Sequence, residues 1–144
     1  MKTFIMYSTL FILCFSCKKD DISNGCVSQL LPSYSFDTGN TINLNLPQYS
    51  SLQFTGNSLF LPSYGVKGIY LYNTGSSIVA FEASDPAHEP NDCSRMTLNG
   101  IELTCARENY KYQLLTGQQL VGGTGNCLRA YRADRIGNVV RVYN

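Results

Sequence analysis

The chain has 144 residues and a formal net charge of +1 at pH 7, with 11 Lys and Arg against 10 Asp and Glu. A near-neutral chain of this length is sized for one domain with its own core, and without a Lys/Arg run interleaved with aromatics it lacks the footprint of a nucleic-acid binder. Charged residues make up only 15% of it, while 10 Tyr and 12 Gly stand among frequent Ser and Asn, a balance that favours strands and turns over helices.

The first residues read as an export signal. Lys2 supplies a positive start, and the apolar run 4–15 is too short to span a bilayer. It ends in Leu13-Cys14-Phe15-Ser16-Cys17, which resembles the lipobox of bacterial lipoproteins, with the small Ser16 before the cysteine that becomes the new N-terminus. The resemblance implies a signal peptide over 1–16, a lipid on Cys17, a tether over 17–27 and a folded domain over 28–144. Several acyl chains on one residue give stable anchoring where a single chain gives marginal binding. Lys18, Lys19, Asp20 and Asp21 follow at once and resemble the surface-export tag of some Gram-negative lipoproteins. The implied location is the cell envelope, as an outer-membrane lipoprotein open to surface exposure. The implied partners are the membrane, through the lipid, and a protein or small molecule not identified by the sequence.

Further along, 41–46 (TINLNL) alternates, with Ile42, Leu44 and Leu46 on one face, and reads as a half-buried strand stopped by Pro47. A short strand over 58–61 closes at Pro62. Strands over 69–72 and 77–81 flank a Thr74-Gly75 turn. A hairpin turned at Asn99-Gly100 comes next, then a strand over 110–115 ended by Thr116-Gly117, and a glycine-rich loop over 122–125. The last hairpin joins 128–132 to 139–143 through Ile136-Gly137-Asn138. Many short strands with turn residues between them are the pattern of a small sandwich or barrel.

Of the six cysteines, Cys14 leaves with the signal and Cys17 takes the lipid, so Cys26, Cys93, Cys105 and Cys127 remain, with three possible pairings in an exported domain. A two-residue Asn99-Gly100 turn sets Leu98 opposite Ile101, Met96 opposite Leu103 and Ser94 opposite Cys105. Cys93 and Cys105 are then neighbours, though strict alternation turns them to opposite faces unless a bulge intervenes. Cys93–Cys105 is the favoured disulfide and Cys26–Cys127 the remainder. Buried structural thiols are the alternative.

The stretch 80–120 carries the most specific signal. Cys105-Ala106-Arg107-Glu108, followed by the aromatic strand with Tyr112 and Leu114 and by Thr116-Gly117, resembles the second cluster-binding loop of Rieske iron–sulfur domains. The closing LRAY…NVVRVYN is similar to that family's last two strands. The resemblance implies an all-β, Rieske-like fold of small antiparallel sheets with a two-loop subdomain built to hold a [2Fe-2S] cluster. In the family each loop gives one cysteine and one histidine. Here Cys105 stands at a cysteine position, Glu108 where a histidine is expected, and Arg107 where a bridging cysteine stands in high-potential members. In the first loop Asp85 and Ala87 align with the cysteine and histidine, and a shift of one brings His88 to the histidine position with Pro86 at the cysteine. His88 is the only histidine in the chain, so the two-imidazole, two-thiolate set cannot be assembled. Asp85, His88, Cys105 and Glu108 form a legitimate set for a lone divalent metal in principle, but a single His among loop carboxylates is more often solvated, and no metal or cofactor is expected.

No nucleophile elbow surrounds a serine, no carboxylate pair is assignable to a glycosidase, and the glycines at 122–125 lack the strand–helix setting of a phosphate loop. The expectation is therefore a lipid-anchored, Rieske-like domain without its cluster ligands, acting as a non-enzymatic binding or structural module. The alternative is an electron carrier or oxidoreductase accessory with an atypical iron–sulfur or metal site.

Overall fold

The computed structural model describes residues 30–144. The expected signal peptide, the lipid site Cys17 and the proposed disulfide partner Cys26 lie outside the described residues.

The described chain is all-β apart from a 3-10 turn at Ser50–Gln53. Its strands are β1 (Ile42–Asn43), β2 (Ser58–Leu61), β3 (Ile69–Asn73), β4 (Ile78–Glu82), β5 (Thr97–Asn99), β6 (Glu102–Thr104), β7 (Lys111–Gln113), β8 (Gln119–Val121), β9 (Ala130–Ile136) and β10 (Val139–Tyr143). They form a six-stranded sheet in the order β1-β10-β9-β4-β3-β2 and a four-stranded sheet in the order β5-β6-β7-β8, every pairing antiparallel. The small sheet and the two loops at its end are inserted between β4 and β9. These are the small antiparallel sheets with a two-loop subdomain that the resemblance leads one to expect.

The β3–β4 hairpin organises the molecule because both of its faces are buried. Side chains alternate along a strand, so Ile69, Leu71, Ile78 and Ala80 enter one core with Ile42, Leu44, Leu52, Val140 and Val142. Tyr70 and Phe81 point the other way, into a second core with Met96, Leu103, Cys105, Tyr112, Leu114 and Leu128. The small sheet is thus fastened to the second face of the large one. The Tyr70 hydroxyl donates to the Met96 carbonyl at 3.0 Å, and the Met96 N–H donates to the Ala83 carbonyl at 2.9 Å, so hydrogen bonds join the two sheets as well.

A buried carboxylate pins the approach to β3. Glu82 is fully buried. It accepts from the backbone N–H of Val66 (2.7 Å), Lys67 (3.0 Å) and Ser84 (3.1 Å) and from the Tyr131 hydroxyl (2.7 Å). Burial, and then this carboxylate, push the Tyr131 hydroxyl above the usual tyrosine range. Gly65 makes the turn over Glu82 possible, since its φ is +73° and a Cβ there would stand 2.5 Å from Glu82 Oε2.

Local expectations differ from the structure at β1, at the β5–β6 hairpin, at β8, and at β9, which runs over Ala130–Ile136 instead of 128–132. Strand β1 stops at Asn43 because the Asn43 side chain accepts from the Asn45 N–H and its carbonyl from the Leu46 N–H, both at 3.0 Å, folding the chain into a turn. Ile42 and Leu44 stay buried, while Leu46 is 42% exposed. In the β5–β6 hairpin Leu98 faces Leu103 and Asn99 faces Glu102, so the loop is Gly100-Ile101, with Gly100 at φ +62°. The register is therefore offset from an Asn99-Gly100 turn, and Leu98 rather than Met96 stands opposite Leu103.

The segment before β1 is tied to β10 at the far end of the large sheet. The Arg141 guanidinium donates through Nε to Asp37 Oδ1 at 2.9 Å, and the Thr38 N–H donates to the Val142 carbonyl at 2.9 Å. The Arg141 guanidinium, helped by the Gly39 N–H, holds the Asp37 carboxyl at about 2, below its usual 3.8. A folded-state value below the unfolded one gives stability that is present above about pH 4 and lost as the pH falls toward 2. Both side chains are well exposed, so the contribution is small. Melting midpoints of the wild type and of Asp37→Asn should converge near pH 2 and separate above pH 4. Parallel curves would show that the pair contributes nothing.

Candidate functional site

Two loops meet at the end of the small sheet. The first, between β4 and β5, is closed at its base by the Asp85 N–H donating to the Ser94 carbonyl at 2.9 Å, and by a Ser84–Arg95 bridge. Asn91 shapes its turn: its side chain accepts from the Cys93 N–H at 2.9 Å and its carbonyl from the Ser94 N–H at 3.2 Å. The second loop, between β6 and β7, is tight. The Cys105 N–H donates to the Tyr110 carbonyl at 2.9 Å, and the Asn109 N–H to the Cys105 carbonyl at 3.0 Å. Asn109 takes φ +58°, a left-handed conformation that asparagine tolerates better than most residues.

These loops bring together four of the residues singled out by sequence. One donor atom from each of Asp85, His88, Cys105 and Glu108 lies within 4.8 Å of the others. Cys105 Sγ is 3.2 Å from Glu108 Oε2 and 3.7 Å from His88 Nε2. His88 Nε2 is 3.3 Å from Glu108 Oε2 and 3.8 Å from Asp85 Oδ2. Asp85 and Cys105 are fully buried, whereas His88 and Glu108 reach partly to solvent.

The remaining polar atoms of these residues are engaged elsewhere. Asp85 Oδ1 accepts from the Tyr112 hydroxyl at 2.8 Å and from the Ala87 N–H at 2.9 Å. His88 Nδ1 faces the Glu89 carbonyl at 2.9 Å; a carbonyl only accepts, so Nδ1 is the donating nitrogen and Nε2 is the one turned toward Asp85, Cys105 and Glu108. Glu108 Oε1 receives Arg107 Nε at 3.0 Å. Asp85 Oδ2, buried and aimed at the cluster, has no hydrogen-bond partner among the described residues. A buried carboxylate oxygen left so carries a desolvation cost and calls for an explanation.

Burial, and then the neighbouring Asp85 carboxyl, push the Cys105 thiol up to about 12. Without an ion beside it, Cys105 is therefore a protonated, unreactive thiol at neutral pH. Burial and Asp85 likewise push the Tyr112 hydroxyl above the usual tyrosine range.

The other sequence-singled residues have supporting places. Ala87 contributes only its backbone N–H, and Arg107 is an exposed side chain paired with Glu108. The Cys93–Cys105 disulfide is not formed: both are free thiols, Cys93 exposed on the loop rim and Cys105 buried. The cause is the hairpin register. Cys105 falls on the inward face with Leu103 and Met96, while the chain at Ser94 leaves β6 to pair with Asp85. Cys127 is half buried beside Gln118, and its proposed partner Cys26 is outside the described range. In metal-free, folded protein at mildly alkaline pH, alkylation mapped by peptide mass spectrometry should modify Cys93 well before Cys105. Equal rates would contradict the burial described.

Sequence reasoning missed the role of Tyr112. The alternation that turns Tyr112 and Leu114 inward was readable, and a buried tyrosine needs a partner for its hydroxyl. Nothing in the sequence named Asp85 as that partner.

A Rieske cluster needs two thiolates and two imidazoles. One chain offers here a single thiol, a single imidazole and two carboxylates, and His88 is its only histidine. The donor set does not fit that cluster.

No protein-family model and no curated protein matches the chain. Among solved structures it is similar to the ferredoxin of carbazole 1,9a-dioxygenase from Nocardioides aromaticivorans IC177, at 15% identity over 76% of this chain and 97% of that one, with a TM-score of 0.47. It is also similar to a ferredoxin of Sphingomonas yanoikuyae B1, at 10% identity over 63% of this chain and 88% of that one, with a TM-score of 0.45. A third is a chain of the complex of reduced oxygenase and oxidised ferredoxin in carbazole 1,9a-dioxygenase, at 18% identity over 62% and 82%, with a TM-score of 0.44. The donors at the tip are read from this chain's own residues.

Proposed function

We propose that this chain is a Rieske-like module, held at the cell envelope by a lipid on Cys17, that does not carry a two-iron cluster and acts as a non-enzymatic binding or structural domain. One observation carries the reading. Asp85 and Glu108 stand at the tip where a cluster would need a second thiolate and a second imidazole, and the Asp85 carboxyl is built into the buried hydrogen bonding of Tyr112 and Ala87. Fold alone does not give function, so subtraction of the ligands weighs against inherited electron transfer. Lys2, the apolar run and Ser16-Cys17 support export and lipidation.

Iron and acid-labile sulfide analysis, with visible and EPR spectra, on anaerobically purified protein tests this. The expected result is no sulfide. Stoichiometric iron with sulfide would favour the second reading, an electron carrier with an atypical site, for which the convergence of four metal-donor side chains speaks. Intact mass of the mature N-terminal peptide tests the lipid on Cys17, and an unmodified cysteine there would remove the anchor.

A further inference from the structure

We infer that the tip holds a single zinc-class divalent cation through Asp85 Oδ2, His88 Nε2, Cys105 Sγ and Glu108 Oε2, and that this ion clasps the two loops together. The inference deepens the cluster-free reading and rests on it.

Each of the three nitrogen or oxygen donor residues has one polar atom held by the surrounding protein and one turned to a common point, which Cys105 Sγ also faces. Nδ1 of His88 is taken by the Glu89 carbonyl, Oδ1 of Asp85 by Tyr112 and Ala87, and Oε1 of Glu108 by Arg107. What converges is the second ring nitrogen of His88, the two remaining carboxylate oxygens and the thiol sulfur. Metal-ligating side chains characteristically have their second polar atom fixed in this way by an outer partner. The buried Asp85 Oδ2 without a hydrogen-bond partner is an independent sign, because a cation supplies what it lacks.

Spacing and chemistry select the ion. A tetrahedral ion with bonds of about 2.0–2.3 Å needs donors about 3.3–3.6 Å apart. Four of the six separations are 3.2, 3.3, 3.7 and 3.8 Å, and the two from Asp85 to Cys105 and Glu108 lie within 4.8 Å. Calcium and magnesium prefer six or more oxygens and would gain little from a sulfur and an imidazole. One sulfur, one nitrogen and two carboxylate oxygens suit zinc or tetrahedral cobalt. All four positions are filled by the chain, which makes the site a closed, structural one rather than a catalytic one. On binding, the Cys105 thiol releases its proton to solvent and a metal–sulfur bond replaces the contact between Sγ and Glu108 Oε2.

The test uses the full-length chain, stripped of metal by chelation and titrated with Co2+ and then Zn2+. One equivalent of Co2+ should bind with a thiolate-to-cobalt absorption band, which Zn2+ displaces. Cys105→Ser should lose the band and weaken Zn2+ binding at least about tenfold, while Cys93→Ser keeps both. Glu108→Gln, at a partly exposed position, should also weaken Zn2+ about tenfold or more with the fold intact by circular dichroism. Folded wild-type protein that binds neither ion, or a band that survives Cys105→Ser or disappears in Cys93→Ser, would overturn the inference while leaving the cluster-free reading standing. Iron with stoichiometric sulfide in the protein as isolated would overturn that reading itself.

Discussion

Glu82→Gln should lower the unfolding free energy by about 3 kcal/mol, the order expected when a buried carboxylate loses charge-assisted hydrogen bonds and leaves donors unpaired. Four donors converge on Glu82: the N–H groups of Val66, Lys67 and Ser84 and the hydroxyl of Tyr131. A glutamine keeps one acceptor oxygen and turns the other position into a donor, so at least one donor pair must face donor to donor. The change is nearly isosteric and leaves Ile69, Leu71 and Ala80 packed as before, which isolates the polar contribution. Urea unfolding should show a lower midpoint with an unchanged slope. A loss below about 1 kcal/mol would mean that water or movement of the 65–68 turn satisfies those donors.

Tyr112→Phe should affect both stability and metal affinity. The hydroxyl it removes donates to Asp85 Oδ1 and accepts from Gln119 Nε2 at 3.2 Å. Removing a hydrogen bond to a buried charged acceptor costs about 1.5–3 kcal/mol. Because the same bond orients the Asp85 carboxyl toward the cluster, Zn2+ affinity should fall about 10- to 100-fold. Tyr112 is a positioning residue here, so the comparison variant is Leu114→Ala, which damages the same core without touching Asp85. If Leu114→Ala matches Tyr112→Phe in lost stability but keeps metal affinity, the orientation argument stands. If both weaken Zn2+ equally, Tyr112 acts only through packing.

Much of this fold was readable from side-chain alternation. The strands now seen as β3, β4 and β10 follow from their apolar patterns, and the Thr74-Gly75 turn is made as its residues suggest: the Thr74 N–H donates to the Ser77 carbonyl at 2.9 Å, and Gly75 takes φ +96°. Strand β8 was not readable, because Leu120 and Val121 are both exposed and give no inward period. The hairpin register differs because Asn99 pairs with Glu102 instead of entering the turn, which slides the pairing by two residues without changing the face that each side chain takes. That shift moves Cys93 further along the hairpin from Cys105, which keeps the inward face it shares with Leu103 and Met96.

The candidate site was half readable. Its residue types came from comparing two loops with a ligand pattern they do not satisfy. Their convergence depends on how the loops pack, on the left-handed Asn109 and on the Asp85–Ser94 closure, none of which leaves a periodic mark in sequence. A lone histidine between two prolines and several acidic residues looks solvated until the burial of Asp85 and Cys105 around it is known.

The most direct test is metal-edge X-ray absorption on full-length protein purified anaerobically. The account predicts one metal per chain in a shell of one sulfur and three nitrogen or oxygen neighbours, with no metal–metal vector. Two irons bridged by sulfide, with a clear iron–iron vector, would contradict it.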